Sequence, residues 1–165
     1  MGVVYVSTMR MPMIALTLLA GALLAGAPSN ATPPAGAQEA RLGDLTVRAA
    51  WAAPSSLSRR TGSVYLTIVN GGARDDQLIA AHTDAAEEVE LRSHRVGEVV
   101  SRARRVSAVK LPATETVVLR PGGEHVALID VKTPLKPGDR LSVLLMFEKS
   151  GLLTVSVPVT TGAPN

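Results

Sequence analysis

Short runs of alternating hydrophobic and polar residues follow one another along the chain from residue 45 onward. The clearest alternation is at Thr154–Val159, where every second residue is a valine. Such a period of two predicts a β-strand with one buried face. Glycine, proline and asparagine turn signals separate the runs at short intervals. The pattern predicts nine strands: Leu45–Ala50, Ser63–Val69, Gln77–Ala81, Glu88–His94, Glu98–Val106, Thr116–Leu119, His125–Val131, Leu141–Phe147 and Leu152–Val159.

The fold class that follows is all-β. No segment sustains a hydrophobic period of 3.6 residues with helix caps at both ends. About nine short strands at this spacing are typical of an antiparallel β-sandwich or barrel. The residues expected on the inner face are Val64, Leu66, Ile68, Leu128, Leu144, Met146 and Val155.

An apolar segment precedes the predicted strands. Met9-Arg10 supplies one positive charge, and the Leu/Ala-rich run Met13–Ala27 is followed by small residues and prolines. This order is that of a secretory signal peptide, and the run is shorter than the ~20 apolar residues that cross a membrane. We therefore expect a periplasmic or secreted protein that is not integral to the membrane once it is cleaved. The expected divisions are a signal peptide and linker at 1–37, cleaved near Ala31 or Ala37, a domain at 38–160 and a tail at 161–165.

Composition excludes several classes of function. The 165 residues contain no cysteine, which removes disulfides, thiolate nucleophiles, zinc fingers and a lipobox cysteine. Aromatic residues make up 2 %, which speaks against the ring platforms of nucleic-acid-binding modules. No P-loop, nucleophile elbow or H-E-x-x-H motif occurs. We expect neither an enzyme nor a nucleic-acid partner.

Several pieces of the sequence carry a family resemblance, and they occur in the same order as in that family. They are Gly62–Gly71, Val89–Leu91, Leu111-Pro112, Leu119–His125, Pro134–Asp139 and Phe147–Gly151. Through them the chain resembles the PCu(A)C family of periplasmic copper chaperones. The resemblance implies a cupredoxin-like antiparallel β-sandwich that holds Cu(I) through histidine and methionine. It also implies delivery toward the CuA centre of cytochrome c oxidase, with oxidase assembly proteins or another copper carrier as partners.

The ligand pattern of that family is altered in this chain. The pattern runs histidine or methionine, ten residues, methionine, twenty-one residues, histidine, one residue, methionine. Aligned on His125, the other three slots fall on Arg92, Ala103 and Ala127. Cu(I) is a soft ion that prefers thioether and imidazole donors. Alanine donates nothing and arginine repels a cation, so the chain keeps the frame of a copper carrier with three degenerate ligand slots.

A second histidine offers a replacement donor. His94 lies two residues beyond Arg92 and therefore on the same strand face. If its strand neighbours that of His125, the two imidazoles can hold copper between them. Two unliganded histidines and metal bound elsewhere remain open alternatives. His82, beside Asp84, is expected at the surface.

Basic residues concentrate between Arg92 and Lys110. This segment contains six basic residues against one acidic residue, among them Arg95, Arg102, Arg104 and Arg105. A solvated hairpin is the simplest interpretation. The alternative to a copper carrier is a metal-free interaction module that uses this basic hairpin, 92–110, to bind an anionic partner or membrane surface.

Overall fold

The structure, a computed structural model, describes residues 39–55, 58–94 and 103–163. The predicted signal peptide and linker at 1–37 lie outside the described residues. So do two of the predicted anion-binding residues, Arg95 and Arg102. The fold below is that of the described part of the chain.

Eleven β-strands make up the regular structure of the described residues. They are β1 (Ala40–Leu42), β2 (Leu45–Ala52), β3 (Thr61–Asn70), β4 (Asp76–His82), β5 (Ala86–Ser93), β6 (Arg104–Arg105), β7 (Val109–Leu111), β8 (Thr116–Leu119), β9 (His125–Val131), β10 (Arg140–Phe147) and β11 (Gly151–Pro158). Two short strands, β1 and β7, were not predicted. Of the predicted strand Glu98–Val106, the structure describes residues 103–106, and Arg104–Arg105 of these form β6.

The strands form two antiparallel sheets, which confirms the predicted fold class. The larger sheet has the order β1-β2-β3-β9-β5-β6, and β8 also pairs with β3. The smaller sheet has the order β11-β10-β4-β7. Strand β3 pairs with two different strands along its length: residues 61–64 pair with β9, and residues 66–69 pair with β8. This arrangement places β9 and β5, the strands with the predicted copper ligands, side by side.

A hydrophobic core fills the space between the sheets. Five of the predicted inward residues are buried: Val64, Leu66, Ile68, Leu128 and Val155. Each fully buried side chain of this size contributes about 1.5–3 kcal/mol relative to exposure in water. Because these residues alternate with outward ones, the same strands present a separate outer face to solvent.

The predicted orientation of β10 is wrong. Leu144 is half-buried and Met146 is 39 % exposed, so both lie on the outer face. Val143, Leu145 and Phe147 occupy the core in their place. The run from 143 to 147 is apolar throughout, so its sequence contains no alternation from which the inward positions could be determined.

Candidate metal site on the outer face of the larger sheet

A tight turn positions His125 at the start of β9. Arg120 O accepts a 3.0 Å hydrogen bond from Gly123 N, and Gly122 has a φ of +74°. With Pro121 in the second position, these are the features of a type II turn, which requires a left-handed residue in its third position. The carbonyl of Gly123 lies 3.0 Å from His125 Nδ1. The turn therefore holds a proton on Nδ1 and leaves the lone pair of Nε2 available to a ligand.

The structure brings His94 to His125. Strand β5 pairs with β9 so that Arg92 lies opposite His125, and His94 follows at the end of β5. The two imidazole rings are stacked, with centroids 5.6 Å apart and planes inclined by 24°. Two imidazoles that bind one ion through bonds of about 2 Å have ring centres roughly 5–6.5 Å apart, the largest separation belonging to a linear arrangement. The separation of the pair therefore suits a shared ion.

The protonation of His125 also suits a cation. Burial is the main cause that lowers the pKa of His125; the Gly123 carbonyl opposes it, and the neighbouring ring of His94 and guanidinium of Arg92 lower the pKa further. His125 is thus neutral at neutral pH, the form that binds metals. Among the described residues, His94 Nδ1 is buried without a hydrogen-bond partner. Such an orphaned nitrogen is costly unless a ligand reaches it.

The three degenerate slots surround the two histidines. Arg92 is the cross-strand neighbour of His125, and Ala127 lies two residues along β9 on the same face, 5 % exposed. Ser93 pairs with Arg104, so Ala103 lies next to the His94 end of β5. The slots are thus adjacent in space, but none of them offers a metal donor.

An ion-pair network occupies the space beside His125. Arg92 Nε donates to Glu90 Oε2 at 2.8 Å, and Arg105 Nη1 lies 3.4 Å from Glu90 Oε1 and 3.6 Å from Glu88 Oε1. The side chain of Glu90 is only 12 % exposed. The two carboxylates partly neutralise the basic hairpin, a feature that the count over 92–110 missed because Glu88 and Glu90 precede it in sequence.

An aromatic row continues the site across the sheet. The ring of Tyr65 lies 6.1 Å from that of His125 and 4.6 Å from that of Trp51. The β2–β3 register shifts between Arg48 and Trp51, and Ala49 has a φ of +51°. In a regular strand Trp51 would share a face with Leu45 and Val47, which lie an even number of residues before it and face the core. The irregularity reverses the alternation of β2, so Trp51 faces outward. Sequence alternation alone could not reveal this.

Sulfur is missing from the site. Within the described residues the single methionine is Met146, on the outer face of the other sheet. The described residues also contain no group of three or more histidine, cysteine, aspartate or glutamate side chains arranged to hold a metal. The donor set therefore fits a two-coordinate ion between His94 and His125 and does not fit a four-donor histidine/methionine site.

The remaining predicted residues contribute no donor to the pair. His82 is a surface residue whose Nε2 lies 3.5 Å from Asp84 Oδ1, which confirms its expected position. Arg104 and Arg105 are exposed on β6. Of the predicted basic surface, the described part thus contains these two arginines together with Arg92 and Lys110.

Solved structures with the same architecture define the class of protein. The chain is similar to the copper-bound PCuAC domain from PmoF2, at 26 % identity and a TM-score of 0.65 over 76 % of this chain and 99 % of that domain. It is similar to the apo PCuAC domain from PmoF1, at 26 % identity and a TM-score of 0.66 over 76 % and 100 %. Apo-DR1885 from Deinococcus radiodurans matches at 26 % identity with a TM-score of 0.58 over 93 % and 97 %. The chain is therefore a PCuAC-like cupredoxin-fold protein, as its sequence pieces indicated.

Sequence comparison then specifies the family. Residues 45–159 match the family described as "Putative lipoprotein LpqE-like". The chain is also 32 % identical over 120 residues to "Putative lipoprotein Lxx21020" from Leifsonia xyli subsp. xyli, covering 70 % of this chain and 69 % of that protein. The chain belongs to the LpqE-like family. The lipoprotein names of its relatives fit an exported protein.

The regular structure of residues 39–55, 58–94 and 103–163 is β-strand, and no helix in these ranges has the length and apolar character needed to cross a bilayer.

Proposed function

We propose that this protein is a non-enzymatic copper carrier that binds one Cu(I) ion between His94 and His125. The observation that supports the proposal most directly is the stacked histidine pair, with rings 5.6 Å apart. The carbonyl of Gly123 orients the imidazole of His125. Nδ1 of His94 is buried and has no hydrogen-bond partner among the described residues. Two similar structures contain copper, the copper-bound PmoF2 domain and CuI-DR1885.

The neighbouring residues set the expected strength of binding. Two imidazoles without thioethers form a weaker and less selective Cu(I) site than a mixed histidine/methionine set, and Cu(II) or Zn(II) competes for it. The guanidinium of Arg92 lies on the adjacent strand position, although Glu90 neutralises part of its charge at 2.8 Å. We expect a site from which copper is readily passed on.

The proposed place of action is outside the cytoplasm. The leader at 1–37 supports export, with cleavage near Ala31 or Ala37. The carrier would release its copper toward the CuA centre of cytochrome c oxidase, through oxidase assembly proteins or another copper carrier. The partner would supply the sulfur donors that this chain lacks, because a soft ion moves toward softer ligands.

An anaerobic competition titration against a chromophoric Cu(I) chelator tests the proposal. We expect one equivalent of copper to be withdrawn from the chelator by the full chain. His125→Ala and His94→Ala should each weaken that binding by more than about 100-fold, because even outer-shell partners of a metal ligand are worth 10- to 100-fold. Ser142→Ala, an exposed polar side chain on the other sheet, is the control. No withdrawal of copper, or equal loss in the control, refutes the site.

The alternative function is a metal-free module that binds an anionic partner through the basic hairpin 92–110. The exposure of Arg104 and Arg105 favours it, whereas the contacts of Arg92 and Arg105 with Glu90 weaken it. It predicts salt-sensitive binding to vesicles with anionic headgroups. Replacement of Arg102, Arg104 and Arg105 by glutamate should abolish that binding, and unchanged binding rejects the alternative.

A further inference from the structure

The outer face of the smaller sheet carries its own pair of side chains with metal-binding chemistry. Strand β10 pairs with β4 so that Met146 lies opposite Ala80 and Leu144 lies opposite His82. Met146 and His82 are therefore diagonal neighbours on one face. Both side chains are exposed, Met146 at 39 % and the side chain of His82 at 68 %. Neither takes part in the core or in the site on the other sheet.

The geometry of an antiparallel pair brings these two side chains within reach of one ion. Diagonal residues have Cα atoms about 7–8 Å apart, a gap that long side chains close. Methionine has three rotatable side-chain bonds, and the small side chain of Ala80 opposite it leaves the space toward His82 open. Bonds of about 2.0 Å to nitrogen and 2.3 Å to sulfur place the two donors roughly 4 Å apart around a shared ion.

The surroundings select the donor atoms. Asp84 Oδ1 lies 3.5 Å from His82 Nε2 and occupies that side of the ring, which leaves Nδ1 as the accessible donor. Leu152, the other cross-strand neighbour of Met146, is 54 % exposed and flanks the sulfur with apolar surface. A thioether and an imidazole next to apolar surface favour a soft monovalent ion over Zn(II).

We propose that His82 and Met146 form a second Cu(I) site, separate from the histidine pair and on the opposite sheet of the sandwich. It contains the one sulfur donor of the described chain. Its exposure makes it a weak site from which the ion exchanges freely with solvent or with a partner. The inference goes beyond the proposed carrier site and does not depend on it.

Methionine-methyl NMR tests the second site in the full chain. With the methionine methyl groups labelled with carbon-13, the signal of Met146 is the one that disappears in Met146→Leu. The other four methionines lie at or before residue 13. Anaerobic addition of Cu(I) should shift the Met146 signal, and the same amount of Zn(II) should not. His82→Ala should weaken the Cu(I) effect by at least tenfold in copper concentration.

Three further variants separate this site from the histidine pair. The double variant His94→Ala with His125→Ala should leave the Met146 shift unchanged, so failure of the carrier site and failure of this site give different results. Met146→Leu combined with Leu144→Met places the sulfur directly opposite His82, and the new methyl signal should respond to Cu(I). A Met146 signal that does not move with Cu(I), or that moves equally in His82→Ala, overturns the proposal.

Discussion

Asp76 is a buried carboxylate on which one end of the smaller sheet depends. It is 4 % exposed and accepts four hydrogen bonds. Its Oδ1 accepts from the backbone N–H groups of Gln77 at 2.8 Å and Lys149 at 2.9 Å. Its Oδ2 accepts from Ser150 N at 3.0 Å and Ser150 Oγ at 2.6 Å. The side chain thereby holds the turn between β10 and β11 to the start of β4.

The substitution Asp76→Asn leaves the Ser150 N–H without an acceptor and changes the shape little. The amide oxygen can still accept from Gln77 N and Lys149 N, and Ser150 Oγ can accept from the amide nitrogen, but the backbone N–H of Ser150 meets that nitrogen as a second donor. A hydrogen bond to a charged group contributes about 1.5–3 kcal/mol, and a buried donor left unpaired costs about 1–3 kcal/mol. We expect the free energy of unfolding at pH 7 to fall by about 2–4 kcal/mol.

Urea unfolding followed by Trp51 fluorescence measures this loss. With an m-value of about 1–3 kcal/mol per molar for a small domain, the midpoint should fall by about 1–2 M without a change in m. Ser150→Ala, which deletes only the hydroxyl donor, is the matched control and should lose about 1.5 kcal/mol, the lower end of that range, because Asp76 keeps its three backbone donors. A loss below 1 kcal/mol in Asp76→Asn would refute the assignment of Asp76 as the anchor of this turn.

The pH dependence of the same variant provides a second check. Burial alone would raise the pKa of Asp76, but the hydrogen bonds from Ser150, Lys149 and Gln77 outweigh it and hold the pKa below its usual 3.8. The stabilisation is therefore complete above that pH and is lost as pH falls through the lower folded-state pKa. The difference between wild type and Asp76→Asn should shrink below about pH 4, and a constant difference would contradict the reasoning.

Three further predictions concern the histidine site. Burial lowers the pKa of His125 below 6.5, so the unfolded chain binds more protons than the folded one as pH falls. The free energy of unfolding should therefore decrease below pH 6.5, and it should decrease less in His125→Gln. Urea unfolding at pH 7.5 and 5.5 measures both changes. The triple variant Arg92→His, Ala103→Met, Ala127→Met should gain tight Cu(I) binding in the chelator assay. The added volume at Ala127 should also lower the free energy of unfolding of this variant by about 1–3 kcal/mol. A folded variant that does not gain Cu(I) binding would mean that the ligand slots are misaligned. Gly122→Ala should lower the free energy of unfolding by about 1 kcal/mol, because φ is +74°. The loss should be no larger, because a Cβ there meets nothing within 4 Å. A loss above 3 kcal/mol would contradict the assignment of a type II turn.

The fold could be predicted from sequence where alternation and turn signals agree. Strand β3 alternates regularly, and its inner residues Val64, Leu66 and Ile68 are all buried as predicted. Strand β10 could not be oriented, because its apolar run leaves both faces equally hydrophobic. Its orientation follows from pairing with β4 and β11, a non-local property. The bulge that turns Trp51 outward is likewise visible only once β2 is paired with β3.

The candidate site shows the same boundary between local and non-local information. His94 and His125 are 31 positions apart in sequence, and only the pairing of β5 with β9 places them together. From the sequence this pairing was only a condition for a shared ion, and the structure meets that condition. The Glu90 contacts with Arg92 and Arg105 were not predicted, because a charge count along the chain takes no account of strand pairing.

The alternation of β9 explains how the ligand slots can change while the sandwich persists. Val126 and Leu128 fill the core, whereas His125 and Ala127 lie on the outer face, so a substitution at an outer slot removes no core contact. In the ligand pattern of PCu(A)C proteins, one ion links residues that correspond here to β5, β9 and the segment before β6. In this chain, Glu90 of β5 contacts Arg105 of β6 and so links β5, without metal, to the strand that follows that segment. Such partly exposed ion pairs contribute about 0–1 kcal/mol, so little of the fold stability of this chain depends on the residues in these slots.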